Sequence, residues 1–541
     1  MDSKITKSTQ HSTSRRPYYY PPSLEHVGQY DYGTFEGEPV NVEEISPIIS
    51  GSSETMDASN SYLRYRYYTR LFNRPGNDNE IVRIPDHVIP WYFRIPKISA
   101  PNFSLPTDGK QSSIVTIFAI WNMMMGTSLL SLPWAYHHAG LIGGLVIIFL
   151  MTGVCFYTAS LVVSVPKMVS VQVQEFTDLV ALLLGRVAHK ISQISSLSII
   201  LGGCIVYWIL MTNFLRNIVS FVYQVQFMNA SIGMNASSVV CTAALNLANS
   251  EPDDKSQIFL FVLDYVIPAI LVLILGPIMC LKSVSIFLRF NIVGTLSVFF
   301  LIGFAAFKAY NWGYNIEWTD PNSPHYVRLF SWNFPIYTGV LSLALFIHNC
   351  LTTLLRTQRN PINNQRDLAI AYLLVGSTYL LISTAIYISF PLNKDCIRDN
   401  FLDNLESNDL YSFITRLFLL LQVITLFPLL VYMLRVQVLS LFKDETTGEV
   451  SFQTLRTLII NLVLLVCCIL FATYYPQIGS VIRYCGSFSG LILVFTLPSL
   501  TFIRGRELIK RPLHPFKFVL ISLIIVAGFA NFASQFFVVQ S

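Results

Sequence analysis

Trp121-Asn122-Met123-Met124-Met125-Gly126-Thr127-Ser128-Leu129-Leu130-Ser131-Leu132-Pro133-Trp134 decides how this chain is read. It lies within an apolar run from about Ile114 to Tyr136, enough for the ~20 residues that a bilayer-spanning helix needs. The middle of the run is poorly made for an unbroken helix. Gly126 has no side chain, Thr127, Ser128 and Ser131 compete for backbone hydrogen bonds, and Pro133 has no N–H to donate. An unpaired peptide group is costly in hydrocarbon, so a helix that opens here must face protein or a water-filled cavity. Interrupted helices of this kind hold substrates and ions on their freed amides and carbonyls. On that reading Asn122 and Thr127 are side-chain ligands. The backbone of Met123, Met124, Met125, Gly126 and Ser128 then takes a substrate's charged ends. The alternative is a packing helix, because small residues also mediate helix contacts in membranes.

Composition sets the class. Of 541 residues, 53% are hydrophobic and 12% charged, with a mean hydropathy of +0.53. Long uncharged runs with these values describe a polytopic membrane protein. No nucleophile elbow, phosphate-cradling loop, paired carboxylates or metal-ligand spacing stands out, and nothing points to enzymatic chemistry or nucleic-acid binding. Residues 1–110 are a polar tail rich in Ser, Tyr and Pro that cannot build a core, and no cleavable signal peptide is expected there.

Apolar segments follow at about 114–138, 140–164, 194–220, 258–281, 287–308, 335–356, 368–391, 411–435, 455–475, 477–503 and 516–539, some eleven in all. An odd count puts the termini on opposite sides. One set of connections carries Lys167, Arg186, Lys190, Lys282, Arg289, Arg356, Arg359, Arg366, Arg435, Lys443, Arg504, Arg506, Lys510, Arg511 and Lys517. The other carries only Lys255, Lys308, Arg328, Lys394 and Arg398. The basic side is cytoplasmic by the positive-inside rule, and the N-terminal tail shares it. Loops at about 221–257 and 392–410 fall on the opposite side. The first holds the glycosylation sequons Asn229-Ala-Ser231 and Asn235-Ala-Ser237. Of nine cysteines, Cys241 and Cys396 lie in these two loops, where disulfides persist. We expect them to pair, the alternative being two free thiols.

Ten spans divide into two sets of five, with the eleventh added. An odd-numbered repeat inverts in the membrane. The partner of the first span is then the sixth, Phe334-Pro-Ile-Tyr-Thr-Gly-Val-Leu-Ser-Leu-Ala-Leu-Phe-Ile-His-Asn349, with a weaker interruption at Thr338-Gly339 and Ser342. His348 near its end reads more readily as a neutral histidine bonded across helices than as a ligand. In the eighth span Gln422, Thr425 and Pro428 mark a polar, bent place. There Thr425 with carbonyls near Asn122 suits a small hard cation, and a hydroxyl bonded back to its own helix is the alternative. Arg416-Leu-Phe418 and Leu430-Val-Tyr432-Met-Leu-Arg435 loosely fit cholesterol-contact patterns.

These residues resemble a known family. Trp121–Trp134 is similar to the first span of the sodium-coupled neutral amino acid transporter family, in its lysosomal, arginine-responsive branch. The likeness continues in Phe290-Asn-Ile-Val-Gly-Thr-Leu-Ser-Val298, Thr338-Gly-Val-Leu-Ser-Leu-Ala-Leu-Phe-Ile-His-Asn-Cys350, Arg366-Asp-Leu-Ala-Ile-Ala-Tyr372 and Lys394-Asp-Cys-Ile-Arg-Asp-Asn-Phe-Leu-Asp-Asn404. The resemblance implies an all-α, LeuT-like fold of eleven helices in the lysosomal membrane, with a broken first helix. It implies export of amino acids from the lumen, arginine as effector and sodium as coupling ion. The family's arginine- and sodium-handling Asn and Thr map onto Asn122 and Thr127, its eighth-span Thr onto Thr425, and its luminal disulfide onto Cys241 and Cys396. Within about residues 62–92, Tyr65-Arg-Tyr-Tyr-Thr-Arg-Leu71 and Ile84-Pro-Asp-His-Val-Ile-Pro90 look like the cytosolic segment that binds the Rag GTPases and Ragulator. Tyr65, Tyr68, Leu71, Pro85 and Pro90 are the anchors carried over. The implied function is a transceptor that reports arginine to the mTOR kinase complex. An ordinary sodium-coupled symporter with an inert tail, and a non-transporting receptor whose helices only anchor the tail, stay open.

Overall fold

The structure, a computed structural model, describes residues 111–169, 175–227, 239–241, 254–279, 291–356, 358–406, 408–441 and 454–538. The tail anchors Tyr65, Tyr68, Leu71, Pro85 and Pro90 and the sequons at Asn229 and Asn235 lie outside these residues. The first apolar run forms α1 (Ser113–Met124) and α2 (Ser128–Ala139), bent by 66° at a short break. Then come α3 (Leu141–Val169), the short α4 (Phe176–Leu184), α5 (Arg186–Phe227), α6 (Asp254–Met279) and α7 (Asn291–Trp312). The sixth segment is α8 (Pro335–Ala344) and α9 (His348–Arg356). It is followed by α10 (Asn364–Ser389), α11 (Leu410–Leu441), α12 (Thr454–Tyr474), α13 (Ile478–Ser489), a π-helical stretch (Gly490–Thr496), α14 (Leu497–Leu508) and α15 (Pro515–Ser534).

Among the described residues nine helical stretches are long and apolar enough to cross a membrane, and the bent pair makes ten. The segment expected at 258–281 is α6, a helix of 26 residues. The protein is an all-α polytopic membrane protein. Phe149, Leu273, Leu373 and Val463 are exposed on it, as side chains facing lipid must be. The sixth segment corrects one expectation. The chain is helical through Thr338, Gly339 and Ser342, and the interruption falls later, at Leu345–Ile347. Gly339 and Gly486 instead let α8 and α13 meet. A Cβ on Gly339 would lie 2.9 Å from Arg483 Cγ, and one on Gly486 would lie 2.5 Å from the Gly339 carbonyl oxygen. Thr338 Oγ1 donates to Asn531 Oδ1 (2.6 Å), and Asn531 Nδ2 donates to Ser342 Oγ (3.0 Å), which fastens α8 to α15. The small polar residues that look like a helix opening are thus a packing face.

The inner half-helices α2 and α8 pack on each other, α8 packs on α13, and α10 lies along α1, α2 and α3. Gly140, at φ +80°, turns the chain from α2 into α3, where a Cβ would collide with the Arg328 carbonyl oxygen at 2.8 Å. That close approach lets the amides of Leu141 and Ile142 bond the carbonyls of Arg328 and Leu329 at 2.8 and 2.9 Å. The orphan donors at the start of α3 are satisfied in this way.

One end of the bundle is covered by residues 390–406 with 408 and 409. Cys241 and Cys396 are joined there, Cα atoms 5.4 Å apart and 155 residues apart in sequence. Val239 bridges Leu405 in antiparallel fashion, and Val240 N–H donates to the Asn404 carbonyl at 2.7 Å. Arg416, buried on α11, donates through Nη2 to the carbonyls of Leu402 (2.7 Å) and Leu405 (3.0 Å). Lys308, counted above among loop cations, is instead buried on α7 and paired with Asp409 at 2.7 Å. Lys394 Nζ donates to the Phe390 carbonyl at 2.7 Å, and burial pulls its ammonium down to about 7. Burial lifts the Asp403 carboxyl to about 6.

Two outcomes follow from the cap. Replacing Cys241 and Cys396 together by serine should lower stability by about 2–4 kcal/mol, because the bond closes a long loop. The check is the thermal midpoint of the oxidised, detergent-solubilised protein, and no change would remove the cap's structural role. Asp403 binds its proton more tightly folded than unfolded. Its contribution is therefore complete below about 4 and lost as pH rises through about 6. Asp403→Asn should flatten the fall in thermal midpoint between those pH values, and a curve parallel to wild type would contradict the assignment.

Candidate functional site: the two helix breaks

At the first break Met125 is extended (φ −70°, ψ 100°), and its N–H still closes on the Trp121 carbonyl at 3.0 Å. Helical bonding resumes with short i−3 bonds, Leu129 N–H to Gly126 (3.2 Å) and Leu130 N–H to Thr127 (3.1 Å). The amides of Gly126, Thr127 and Ser128 thus lie at the N-terminal end of α2, next to the Met124 carbonyl that ends α1. Helix dipoles make the first place weakly positive and the second weakly negative. A Cβ on Gly126 would meet only the Met124 carbonyl oxygen, at 4.0 Å. The glycine therefore leaves room beside the opened peptide groups.

At the second break α8 ends at Ala344. Leu345 N–H bonds the Leu341 carbonyl (2.9 Å), Phe346 N–H bonds Leu343 (3.1 Å), and α9 starts at His348. The carbonyls freed here are met from α10. Tyr372 hydroxyl donates to Leu345 (3.3 Å), and the Tyr379 hydroxyl lies 2.9 Å from the Ala344 carbonyl oxygen. The same Tyr379 hydroxyl lies 2.6 Å from the Met124 carbonyl oxygen at the end of α1. One buried phenol therefore joins both breaks. Trp121 Nε1 donates to Thr378 Oγ1 at 3.2 Å, a second tie from α1 to α10.

The other residues singled out from sequence fall as follows. Asn122 and Thr127 are half-buried, Met124, Met125 and Ser128 are buried, and Met123 is exposed. Thr425, on α11, donates its hydroxyl to the Gln422 carbonyl at 2.8 Å, the bond back to its own helix that was the alternative to a cation ligand. No hydrogen bond among the described residues joins it to Asn122. His348 is buried, with Nε2 3.0 Å from Thr158 Oγ1, and Asn349 Nδ2 donates to Ser196 Oγ at 3.0 Å. Both serve contacts between helices. Arg435 Nη1 donates to the Met279 carbonyl at 2.7 Å, and with Arg416 it is turned into protein.

The far end of α2 is held by the cap. His137 Nε2 lies 3.0 Å from Asp395 Oδ1, with Arg328 Nη2 at 3.9 Å, and the bond to His137 holds the Asp395 carboxyl below its usual range. Asp399 accepts from Gly479 N–H (2.9 Å) at the start of α13, where a Cβ on Gly479 would lie 2.5 Å from the Trp134 ring. Burial raises the Asp399 carboxyl. Tyr372, Tyr379 and these cap contacts were not among the residues singled out from the sequence. The available signal was two tyrosines seven residues apart in an apolar run, on one helical face. Among the described residues no cluster of His, Cys, Asp or Glu is placed to hold a metal.

Residues 109–540 match the model of the family described as transmembrane amino acid transporter protein. The chain is 39% identical to neutral amino acid transporter 9 of Rattus norvegicus, over 92% of each chain. It is 38% identical to the sodium-coupled neutral amino acid transporter 9 homolog of Caenorhabditis elegans, over 88% of this chain and 81% of the relative. It is 37% identical to neutral amino acid transporter 9 of Danio rerio, over 93% and 94%. A helical membrane protein with opened peptide groups at its centre and this likeness is a transporter of amino acids rather than an enzyme, and it belongs to the transmembrane amino acid transporter family.

Proposed function

We propose that an amino acid binds at the break between α1 and α2, and that the protein couples its transport to signalling from the lysosomal membrane. The observation that carries this is the 66° break itself, which leaves the amides that start one half-helix beside the carbonyls that end another. A substrate's carboxylate suits the amides of Gly126, Thr127 and Ser128, and its ammonium suits the ends of α1 and α8. Opened carbonyls also accept the donors of an arginine guanidinium, which supports arginine as effector without a carboxylate partner. Breaks in the first and sixth segments support the two-by-five inverted arrangement of a LeuT-like transporter. Sodium is the proposed coupling ion, with oxygens of Asn122 and Thr425 among its ligands.

The relatives named neutral amino acid transporter 9 support placing the protein with them. By charge distribution the tail is cytosolic and the disulfide-bonded cap luminal. Residues 62–92 would then fold onto Rag GTPases and Ragulator through Tyr65, Tyr68, Leu71, Pro85 and Pro90, with ordering entropy lost at that moment. Signalling requires that arginine bind one transporter conformation better than another, since equal affinity shifts nothing.

Thr127→Trp fills the gap and should weaken amino acid binding and uptake in proteoliposomes at least about tenfold; unchanged binding would remove the site. A fragment of residues 1–105 should capture purified Rag–Ragulator, with capture lost on Tyr68→Ala and Leu71→Ala together. Failure of the fragment to bind would leave a transporter without the signalling role.

A further inference from the structure

We propose that Tyr379 is a positioning residue for the transported amino acid: its hydroxyl competes with the substrate's ammonium group for the carbonyls that end α1 and α8. This rests on the break-site reading above and adds the group that the substrate must displace.

The geometry is unusual in one respect. The Tyr379 hydroxyl is 2.6 Å from the Met124 oxygen and 2.9 Å from the Ala344 oxygen, yet a phenol has a single proton to give. Two carbonyls share one donor, and the Ser128 hydroxyl also lies within hydrogen-bond reach of the Tyr379 hydroxyl. Both acceptors are C-terminal carbonyls of half-helices, the ends that favour a cation. An α-ammonium group brings three donors and a full charge, and charge-assisted bonds are roughly twice as strong as neutral ones. It can satisfy both carbonyls where the phenol divides its proton between them. Tyr379 is fully buried, so water does not supply a substitute. Its ring is carried by α10, which also holds α1 through Trp121 and Thr378. Tyr379 is thus the link from the end of α8 to the end of α1, and displacing its hydroxyl frees α8 from that link. Occupancy and the separation of the two half-helices are thereby coupled through one hydroxyl.

The test is uptake of radiolabelled leucine, glutamine and arginine into proteoliposomes holding the full chain, followed with the amino acid taken up fastest. Removing the competitor in Tyr379→Phe should lower KM about fivefold, the weight of one net hydrogen bond, and lower the maximal rate. The des-amino analogue of the same amino acid cannot displace the hydroxyl, so its inhibition constant should not change. An unchanged KM with a lower thermal midpoint would reduce Tyr379 to a structural role and overturn the proposal. So would a raised KM, which would make the hydroxyl a direct substrate contact, or an equal fall for substrate and analogue. Should Tyr379→Phe fail to fold, 3,5-difluorotyrosine placed at position 379 strengthens the donor and should raise KM, and no rise overturns the proposal. Thr127→Trp is run in parallel. Retained uptake there removes the break site, whereas lost uptake with an unshifted Tyr379→Phe KM removes only the latch.

Discussion

A peptide group in the middle of a membrane must find a hydrogen-bond partner, and the rest of this structure depends on how that demand is met at two places. α1 stops at Met124 and α8 stops at Ala344, so carbonyls are released where hydrocarbon offers nothing in return. An unpartnered buried acceptor costs on the order of 1–3 kcal/mol. Tyr372 and Tyr379 supply donors from α10, one helix serving both breaks. The breaks are therefore tolerated because a third helix sits beside them.

The surrounding helices are arranged to hold that geometry. Gly339 and Gly486 bring α8 and α13 into backbone contact, and Thr338, Ser342 and Asn531 tie α8 to α15. At the other end of α2, the cap grips His137 through Asp395 and the start of α13 through Asp399. The disulfide between Cys241 and Cys396 fixes the cap to the chain preceding α6. Each inner half-helix is thus held at its outer end and opened at its inner end, an arrangement suited to a transporter whose substrate site lies at the openings.

Much of this was legible in the residues. Gly126, Thr127, Ser128 and Pro133 within a long apolar run locate the first break to within a residue or two, because local backbone chemistry alone makes a continuous helix poor there. Cys241 and Cys396 stand out because only they lie in the two polar loops of one side. The sixth segment was read less well. Thr338, Gly339 and Ser342 carry the same local signature as the first break, yet they lie in unbroken helix because neighbouring α13 and α15 use their small size and hydroxyls. A local signature does not say whether a partner helix will claim it.

By itself the chain's pattern of apolar runs, charges and turn residues pointed to an all-helical membrane protein of about eleven spans, opened in its first helix. Those are properties of consecutive residues, set by backbone hydrogen bonding and the cost of burying charge. The tertiary structure alone decided where the second opening lies, that Lys308 is a buried ion-pair partner and not a loop cation, and that Tyr379 stands between two carbonyls from helices more than two hundred residues apart. Contacts of that kind join residues remote in sequence, and only the packing of the helices brings their donors and acceptors within reach of one another.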